Sequence, residues 1–466
     1  MTSPNPIRQD VPHALTPALD CRRGCGAGDH VSAPLGADGQ KFGAVARQLA
    51  LPVYLPTLAQ ASGFTALAPV LPLMALDLGF SLPAAAALGL ITGVLGVIGP
   101  VPAGRAISGL GERTAMILTG LVIVAALMAG YWIVHDGTVH APTRTHRYGL
   151  IGVLVAIGLA QQVWNLGRQS YVGAAVHPRL RARAMSTFGG MMRIGQVIGP
   201  AAGALVAAMA DLAAVYVMSA AVMALATMLV TVFLVPHPAA AAQSVSRAAE
   251  DPGPTPAWWR DAGMATMAKV ALGTAPLQMA RVLRPTILPL MGAGLGLSAE
   301  TISLIFAAAA FLEILLFIPA GGYMDTFGRT AVLVPCLVML GLGYVTLAVL
   351  ALTVGGRSPM MALVTVGGSA LLLALGNGLG AGIVMTLGLD VTPEQDRARH
   401  LARWMTMTGV GPLVGPLLVS LITLVAPIGL AAATVGGLCL AAGAWMLRIL
   451  PPLTPNPPAG PFHRQD

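Results

Sequence analysis

Twelve long apolar segments constrain this chain more than any other feature of its sequence. They cover approximately residues 50–76, 83–105, 114–135, 148–176, 184–210, 212–235, 264–291, 299–322, 330–354, 359–389, 402–425 and 429–450. Each is long enough to cross a bilayer as an α-helix, which takes about 20 apolar residues. Charged residues make up only 9% of the 466 residues, which excludes a water-soluble enzyme, a disordered chain and a disulfide scaffold. We therefore predict an all-α polytopic membrane protein with twelve transmembrane helices.

The polar stretches divide the chain into regions. Residues 1–48 are rich in Gly, Pro and Asp, and residues 236–262 combine Pro, Ala and Ser with charges of both signs. We predict a disordered cytoplasmic tail at 1–48, a six-helix bundle at 49–235, a cytoplasmic linker at 236–262, a second bundle at 263–450 and a cytoplasmic tail at 451–466. Cys21 and Cys25 lie in the first tail, where an inert pair is favoured over a metal or redox site.

The second half of the chain repeats the first. Leu71-Pro72-Leu73-Met74 recurs as Leu288-Pro289-Leu290-Met291, and Gly195…Gly199-Pro200 recurs as Gly411…Gly415-Pro416. Other matched elements keep the same order at nearly the same spacing. Because each half has an even number of helices, we predict two bundles of the same orientation, which are parallel repeats about an axis along the membrane normal.

Arginine positions predict the orientation in the membrane. With the N-terminus inside, only Arg144, Arg147 and Arg357 lie in outer loops. The arginines at cytoplasmic loops are then Arg113, Arg179, Arg181, Arg183, Arg247, Arg260, Arg329, Arg397, Arg399 and Arg403. Positively charged loops stay cytoplasmic, so we predict cytoplasmic N- and C-termini in a plasma (cell inner) membrane. The excess of basic over acidic residues gives the chain a net charge of +8. Loop arginines account for it, and without a recognisable nucleic-acid-binding module the charge does not indicate nucleic-acid binding.

The loops between the second and third apolar segments of each half share a pattern of glycines and charged residues. The second half carries Gly321, Asp325, Gly328 and Arg329, and the first half carries Gly104, Gly111 and Arg113, with Ser108 in place of the acidic residue. This pattern resembles the signature Gly-x-x-x-Asp-(Arg/Lys)-x-Gly-(Arg/Lys)-(Arg/Lys) of the major facilitator superfamily of secondary transporters. The resemblance covers about residues 49–450 and implies the twelve-helix fold of this family, transport by alternating access, and a gating role for the matched residues.

Helix five carries a second resemblance. Gly195, Gly199 and Pro200 match the Gly-x-x-x-Gly-Pro motif of the family's proton-coupled exporters. Small residues permit close packing and the proline removes a backbone hydrogen bond, so a hinge is expected there. The resemblance implies proton-coupled efflux by antiport. Two alternatives stay open: proton-coupled or facilitated uptake of a small metabolite, and a non-transporting membrane receptor or assembly partner with the same fold.

Several arginines lie far from the helix ends, where each charge costs about 2.5–3.5 kcal/mol to insert. Arg281 lies ten residues before Met291, which places it about 15 Å along a helix and near the bilayer midplane. Arg284 follows at i+3 on the same face, and Arg168 and Arg193 lie deep in helices four and five. None has a counterpart in the other half, which indicates a substrate site. Because guanidinium groups bind carboxylate and phosphate, we predict an anionic or zwitterionic solute.

Glu313 is the only deep carboxylate in the apolar segments. We predict that it couples transport to protons, because a carboxylate takes up and releases a proton. The alternative is a permanent ion pair with Arg168 or Arg193 that fixes helix packing. The polar side chains predicted to contact the solute beside the four arginines are Gln161, Asn165, Tyr171 and Gln278.

Other motifs do not indicate catalysis or cofactor binding. Residues 376–380 resemble a dinucleotide loop but lie within an apolar segment, and neither lysine, Lys41 or Lys269, belongs to a phosphate-binding loop. We therefore expect no enzyme activity, no cofactor, no metal and no nucleic-acid partner. The expected partners are the lipid bilayer, a small-molecule solute and a proton gradient, with the monomer as the functional unit.

Overall fold

The computed structural model describes Leu35 and residues 42–235, 262–380, 382–391 and 397–451. Most of the N-terminal tail, the linker at 236–261 and the tail at 452–466 lie outside the described residues, and with them Cys21 and Cys25. At Gly321, Asp325 and some other helical positions, only the backbone is described.

The described residues form α-helices, named here α1 to α18 in chain order. The first half contains α1 Phe42–Leu49, α2 Leu55–Leu67, α3 Leu71–Asp77, α4 Leu82–Ala87, α5 Gly89–Ile98, α6 Pro100–Leu110, α7 Glu112–Val139, α8 Arg144–Ala175, α9 Pro178–Met209 and α10 Ala214–Phe233. The second half contains α11 Ala262–Gly294, α12 Ala299–Phe327, α13 Thr330–Leu350, α14 Pro359–Leu379, α15 Ile383–Asp390, α16 Arg397–Thr408, α17 Val410–Val425 and α18 Ile428–Ile449. Short π-helical turns lie at Ala50–Tyr54 and Ala351–Gly355.

The helices account for the apolar segments predicted from the sequence. Ten helical stretches of the described chain are long and apolar enough to cross a membrane. An eleventh span results if α4 and α5 are joined to α6, from which they are bent by 55°. The remaining segment is α11, which is 33 residues long but carries Lys269, Arg281 and Arg284 and three interior prolines. Its polar groups lower its hydropathy, although its length is ample. The architecture is that of an all-α polytopic membrane protein.

The first segment is a broken helix that begins earlier than predicted. α1 starts at Phe42, so the prediction of a disordered tail fails for residues 42–48. Val45 and Leu49, one turn apart, are fully buried in the core of the first half, and this burial stabilises the extra turns. A π-helical turn follows at Ala50–Tyr54, where Pro52 has no N–H for the regular helical hydrogen bond.

Buried apolar side chains form two large clusters that follow the two halves of the chain. One consists of side chains from α1–α10, and the other consists almost entirely of side chains from α11–α18. Leu73 and Ala86 are the exceptions, because these first-half residues are buried in the second cluster. Ala299 of α12 packs in turn against the first cluster. All three lie near the loops that face away from the termini, so the halves interlock at that face.

The sequence repeat is also a repeat of helix packing. A Cβ placed on Gly195 of α9 would lie 2.6 Å from Ala61 of α2, and one placed on Gly411 of α17 would lie 2.5 Å from the carbonyl oxygen of Ala275 in α11. Real Cβ atoms do not approach other atoms so closely. In the first half, α9 therefore packs against α2 through a glycine. In the second half, α17 packs against α11 in the same way.

Candidate functional site

A cavity of about 210 Å³ lies between the two halves. We call it the charged cavity. The first half contributes Thr65, Ala68, Gln196 and Pro200 to its wall, and the second half contributes charged, amide and aromatic side chains from α11, α12 and α14. These are Arg281, Arg284, Phe306, Glu313 and Asn377.

Helix α11 places two arginines in this cavity. Arg281 and Arg284 are three residues apart, so they project from the same face of the helix. Pro285 follows directly and lines the cavity as well. It has no N–H to donate to the carbonyl of Arg281, which loosens the helix where the cavity meets it.

Glu313 is the centre of the charge network. The carboxylate is only 5% exposed, and it is ion-paired with Arg284. Nη1 of Arg193, from α9 of the other half, lies 3.9 Å from Oε2 of Glu313. Nδ2 of Asn377 donates a hydrogen bond of 2.6 Å to the same oxygen. One carboxylate thus connects α9, α11, α12 and α14, and links the two halves of the chain.

Arg281 has neutral partners. Its Nη1 donates to Oε1 of Gln278 at 3.1 Å, and its Nη2 donates to the carbonyl oxygen of Gly380 at 2.7 Å. Gly380 follows the end of α14, and Gly382 adopts a left-handed φ of +81° before α15 begins. The carbonyl oxygen of Gly380 also accepts from the N–H of Ile383 at 3.3 Å, so Arg281 shares this acceptor at the break between α14 and α15.

The described side chains give the charged cavity an excess of positive charge. Arg193, Arg281 and Arg284 surround the single carboxylate of Glu313. The buried Nε of Arg281 has no hydrogen-bond partner among the described residues. Because an unpaired buried donor is costly, the arrangement favours an anion that supplies negative charge and acceptor oxygens.

A second cavity of about 410 Å³ adjoins the first. We call it the apolar chamber. The two share Ala68 and Pro285 in their walls. Apolar side chains of α2–α5 and α8 line most of the chamber, and its polar groups include Gln161, Gln162 and the hydroxyl-bearing Tyr216.

Arg168 lies elsewhere, inside the first half. It is fully buried and lines neither cavity. Nη1 donates to Oγ1 of Thr57 at 2.9 Å, and Nη2 donates to Oδ1 of Asn165 at 2.8 Å and to Oε1 of Gln60. Its Cζ lies 5.7 Å from the ring centre of Trp164 and 5.4 Å from that of Phe188. Neutral oxygens and aromatic rings thus surround this cation.

The structure brings together part of the predicted solute-binding set. Arg281, Arg284 and Glu313 line the charged cavity, Arg193 contacts Glu313, and Gln278 holds Arg281. Gln161 lines the apolar chamber instead. Three predicted residues lie in the first half and line neither cavity. Arg168 and Tyr171 are buried, and the half-buried Asn165 accepts a hydrogen bond from Arg168.

Sequence reasoning missed Asn377 and Phe306. Asn377 donates to Glu313, and the ring of Phe306 lies 5.6 Å from Cζ of Arg284. Asn377 lies in the stretch that resembled a dinucleotide loop, where one amide in an otherwise apolar segment was the available signal. Phe306 gave no signal, because a phenylalanine in an apolar helix is ordinary.

The predicted gating glycines include two with unusual backbone angles. Gly111 between α6 and α7 has φ of +77°, and Gly328 between α12 and α13 has φ of +86°. Side-chain-bearing residues avoid these angles, so both tight turns require glycine. Gly104 lies inside α6, and Gly199 packs against Ser62 and Thr65 of α2 so closely that a side chain would clash.

The two arginines of the signature loops have different partners. Nη2 of Arg113 donates to the carbonyl oxygen of Thr231, near the end of α10, at 2.7 Å. Nε of Arg329 donates to Oδ2 of Asp390, at the end of α15, at 2.9 Å. Each arginine therefore ties its loop to a helix end of its own half.

Comparisons with known proteins agree on the family. The family model of the Major Facilitator Superfamily matches residues 53–275 and 270–465. No curated protein matches the sequence significantly. Similar solved structures include a D-xylose–proton symporter, with 15% identity and a TM-score of 0.65 over 88% of this chain and 98% of that one. A peptide transporter of the POT family in complex with alafosfalin has 14% identity and a TM-score of 0.66 over 89% and 99%.

A further POT-family transporter, in complex with 5-aminolevulinic acid, has 11% identity and a TM-score of 0.68 over 87% of this chain and 96% of that one. At such low identities these structures establish the shared fold, and the family model establishes descent. The expected resemblance is therefore confirmed. This chain belongs to the Major Facilitator Superfamily and is a multi-pass membrane transporter with the fold of that family.

Proposed function

We propose that this protein is a proton-coupled transporter of a small anionic or zwitterionic solute, which binds in the charged cavity between the halves. The observation that carries the proposal is the excess of guanidinium groups around one carboxylate in a cavity lined by both halves. A site between two rocking bundles is exposed to each side of the membrane in turn. The predicted bundle limits, cytoplasmic termini and monomeric state are part of this proposal.

Arg281 and Arg284 are the proposed ligands for the acidic group of the solute. Arg281 has only neutral partners among the described residues, so its charge is available to a bound anion. Arg284 is shared, because it already pairs with Glu313. An anion that binds both arginines therefore competes with Glu313 for Arg284.

This competition couples the solute to protons. When Glu313 takes up a proton, it loses its attraction for Arg284, and Arg284 then binds the anion more strongly. By linkage, the bound anion increases the proton affinity of Glu313 by the same factor. Nδ2 of Asn377 donates to Oε2 of Glu313, and a carboxyl oxygen can accept a hydrogen bond in either protonation state. Binding of one proton and one anion is thus mutually favourable.

The direction of coupling has two candidates. The linkage at Glu313 favours symport for an anion, because proton and anion stabilise each other on the protein. The Gly-x-x-x-Gly-Pro motif at Gly195, Gly199 and Pro200 favours efflux by antiport, and Pro200 lines the charged cavity. Antiport requires that a group of the solute replace the proton at Glu313. The positively charged amino group of a zwitterion could do so, because it can pair with the carboxylate.

Proton movement in sealed vesicles tests the proposal. Purified protein is reconstituted into vesicles that contain a pH-sensitive dye, and methanesulfonate or taurine is added outside. Methanesulfonate is a permanent anion and taurine a zwitterion, and neither crosses lipid readily. Acidification of the lumen during solute entry indicates symport, and alkalinisation indicates antiport.

Glu313→Gln is the test variant, and Glu300→Gln at the N-terminal end of α12 is the matched control. We expect Glu313→Gln to abolish the proton signal while exchange of the solute between the two sides continues. Control vesicles with Glu300→Gln should behave as wild type. If the probes bind but do not cross, the protein is a receptor; if neither binds, the anion site is refuted.

A further inference from the structure

The apolar chamber is a large part of the same site. The charged cavity alone, at about 210 Å³, is smaller than the usual range for ligand sites, which begins near 300 Å³. The apolar chamber, at about 410 Å³, is nearly twice as large. Ala68 and Pro285 belong to both walls, so the two spaces meet at these residues.

Charge and apolar surface are separated along this combined space. Arg281, Arg284 and Glu313 lie at one end. At the other end, Phe64, Leu71, Leu88, Ile91 and Leu95 supply aliphatic and aromatic surface. No Asp, Glu, Lys or Arg lies among the described residues that line the apolar chamber. A small hydrophilic anion would leave this larger part of the site without contacts.

The chamber contains few hydrogen-bonding groups. Tyr216 is almost completely buried, and its hydroxyl has no hydrogen-bond partner among the described residues. Gln161, Gln162, Thr92 and Thr286 also line the chamber. A buried hydroxyl without a partner is costly, so this one is available to a polar atom of a bound molecule. A mostly apolar wall with a few polar groups is typical of sites for organic ligands.

We infer that the solute is an amphipathic organic anion, with its acidic group at Arg281 and Arg284 and its apolar body in the apolar chamber. This inference rests on the proposed function and narrows its substrate class. Burial of the body supplies affinity that a charge pair in water does not, at about 0.8 kcal/mol per methylene. This is about a fourfold gain in affinity for each added methylene.

A series of alkanesulfonates tests the inference. The probes are methanesulfonate, butanesulfonate and hexanesulfonate, and binding is measured on protein in lipid nanodiscs, with empty nanodiscs and hexanol as controls for partition into lipid. We expect affinity to rise about fourfold with each methylene. If methanesulfonate binds and longer chains bind no better, the inference is overturned and the proposed anion site survives. If methanesulfonate does not bind either, the proposed site itself is refuted.

Ala68→Leu tests whether the chamber receives the chain. Ala68 is half-buried at the boundary of the two spaces, and a larger side chain there narrows the passage between them. We expect Ala68→Leu to lose the gain in affinity with chain length, measured as the ratio of hexanesulfonate to methanesulfonate affinity in the same variant. The control variant is Ala59→Leu on α2, because Ala59 lies outside both cavity walls. Ala61→Leu would not serve, because Ala61 packs against Gly195. A gain with chain length that persists in Ala68→Leu would overturn the inference.

A free metabolite and an anionic lipid share this chemistry, and lipid composition separates them. Nanodiscs of phosphatidylcholine are compared with nanodiscs that contain phosphatidylglycerol. If the ligand is a free solute, hexanesulfonate binds equally in both. If phosphatidylglycerol competes with hexanesulfonate for the site, and Arg281→Gln removes this competition, the amphipathic anion is a lipid.

Discussion

Arg168 and Arg281 are both deep in apolar helices, yet their surroundings differ. Arg168 is fully buried within the first half, where Thr57, Gln60 and Asn165 accept its hydrogen bonds. Arg281 faces a cavity between the halves, and Gln278 and the carbonyl of Gly380 accept its hydrogen bonds. Each guanidinium keeps a buried Nε without a hydrogen-bond partner among the described residues. The difference is that Arg281 lines a cavity that could admit an anion, whereas Arg168 is enclosed by side chains of its own half.

This difference teaches that depth alone does not identify a binding arginine. Charges in a membrane are tolerated when they face a cavity or when neighbouring groups satisfy them. In the first half, amide oxygens and the rings of Trp164 and Phe188 are the neighbouring groups that stabilise the charge of Arg168. Those groups join α2, α8 and α9, so we propose that Arg168 acts in helix packing, in contrast to the solute-binding role proposed for Arg281.

The largest expected effect is on anion binding. Arg281→Gln removes a charged donor from the cavity, and hydrogen bonds to charged groups are worth about 1.5–3 kcal/mol. We expect methanesulfonate affinity to fall at least about tenfold. Folded Arg168→Gln should bind within about twofold of wild type, as measured by competition binding in nanodiscs. Equal losses in the two variants would break the comparison.

The effect on stability should run the other way. Arg168→Met removes three side-chain hydrogen bonds, and each such bond in a membrane protein is worth about 0.6 kcal/mol on average. We expect a loss of about 2 kcal/mol in unfolding free energy, seen as a lower thermal midpoint in detergent. Arg281→Met should cost less, because water that enters the cavity replaces its lost contacts. A more stable Arg168→Met would remove the packing role.

The sequence was sufficient for the fold but only partly for the site. The apolar length of a spanning helix follows from its solvation by the bilayer, so it can be read from single segments. The pairing of Glu313 depends on how α9, α11 and α12 approach each other, which no single segment encodes. The sequence offered Arg168 and Arg193 as its partners; the structure pairs Glu313 with Arg193 and Arg284.

A polar reagent should reach the surroundings of the two arginines differently when the contact between the halves is loosened. A Cβ on Gly93 of α5 would lie 2.9 Å from the carbonyl oxygen of Pro412, so Gly93→Ala separates the halves there. Overpacking of this kind costs about 1–3 kcal/mol. In a protein without its native cysteines, we expect severalfold faster labelling of Thr65→Cys, which lines the charged cavity, by a polar thiol reagent.

The buried Thr57→Cys beside Arg168 should label no faster in the same background. Gly96→Ala is the matched control, because nothing lies within 4 Å of a Cβ at that position of α5. Faster labelling at both cysteines would mean that Gly93→Ala loosens the whole fold and not only the contact between the halves.

The smallest expected effect comes from the two phenylalanines that contact these arginines. The ring centre of Phe306 lies 5.6 Å from Cζ of Arg284, and that of Phe188 lies 5.4 Å from Cζ of Arg168. A cation–π contact is worth about 0.5–1 kcal/mol, which is about a two- to fivefold change in affinity. Phe306→Leu keeps an apolar side chain but removes the ring that orients Arg284 beside Glu313. We therefore expect it to weaken methanesulfonate binding by that factor, whereas Phe188→Leu should lower the thermal midpoint and leave binding unchanged. The reverse pattern would show that the cavity arginine is the structural one.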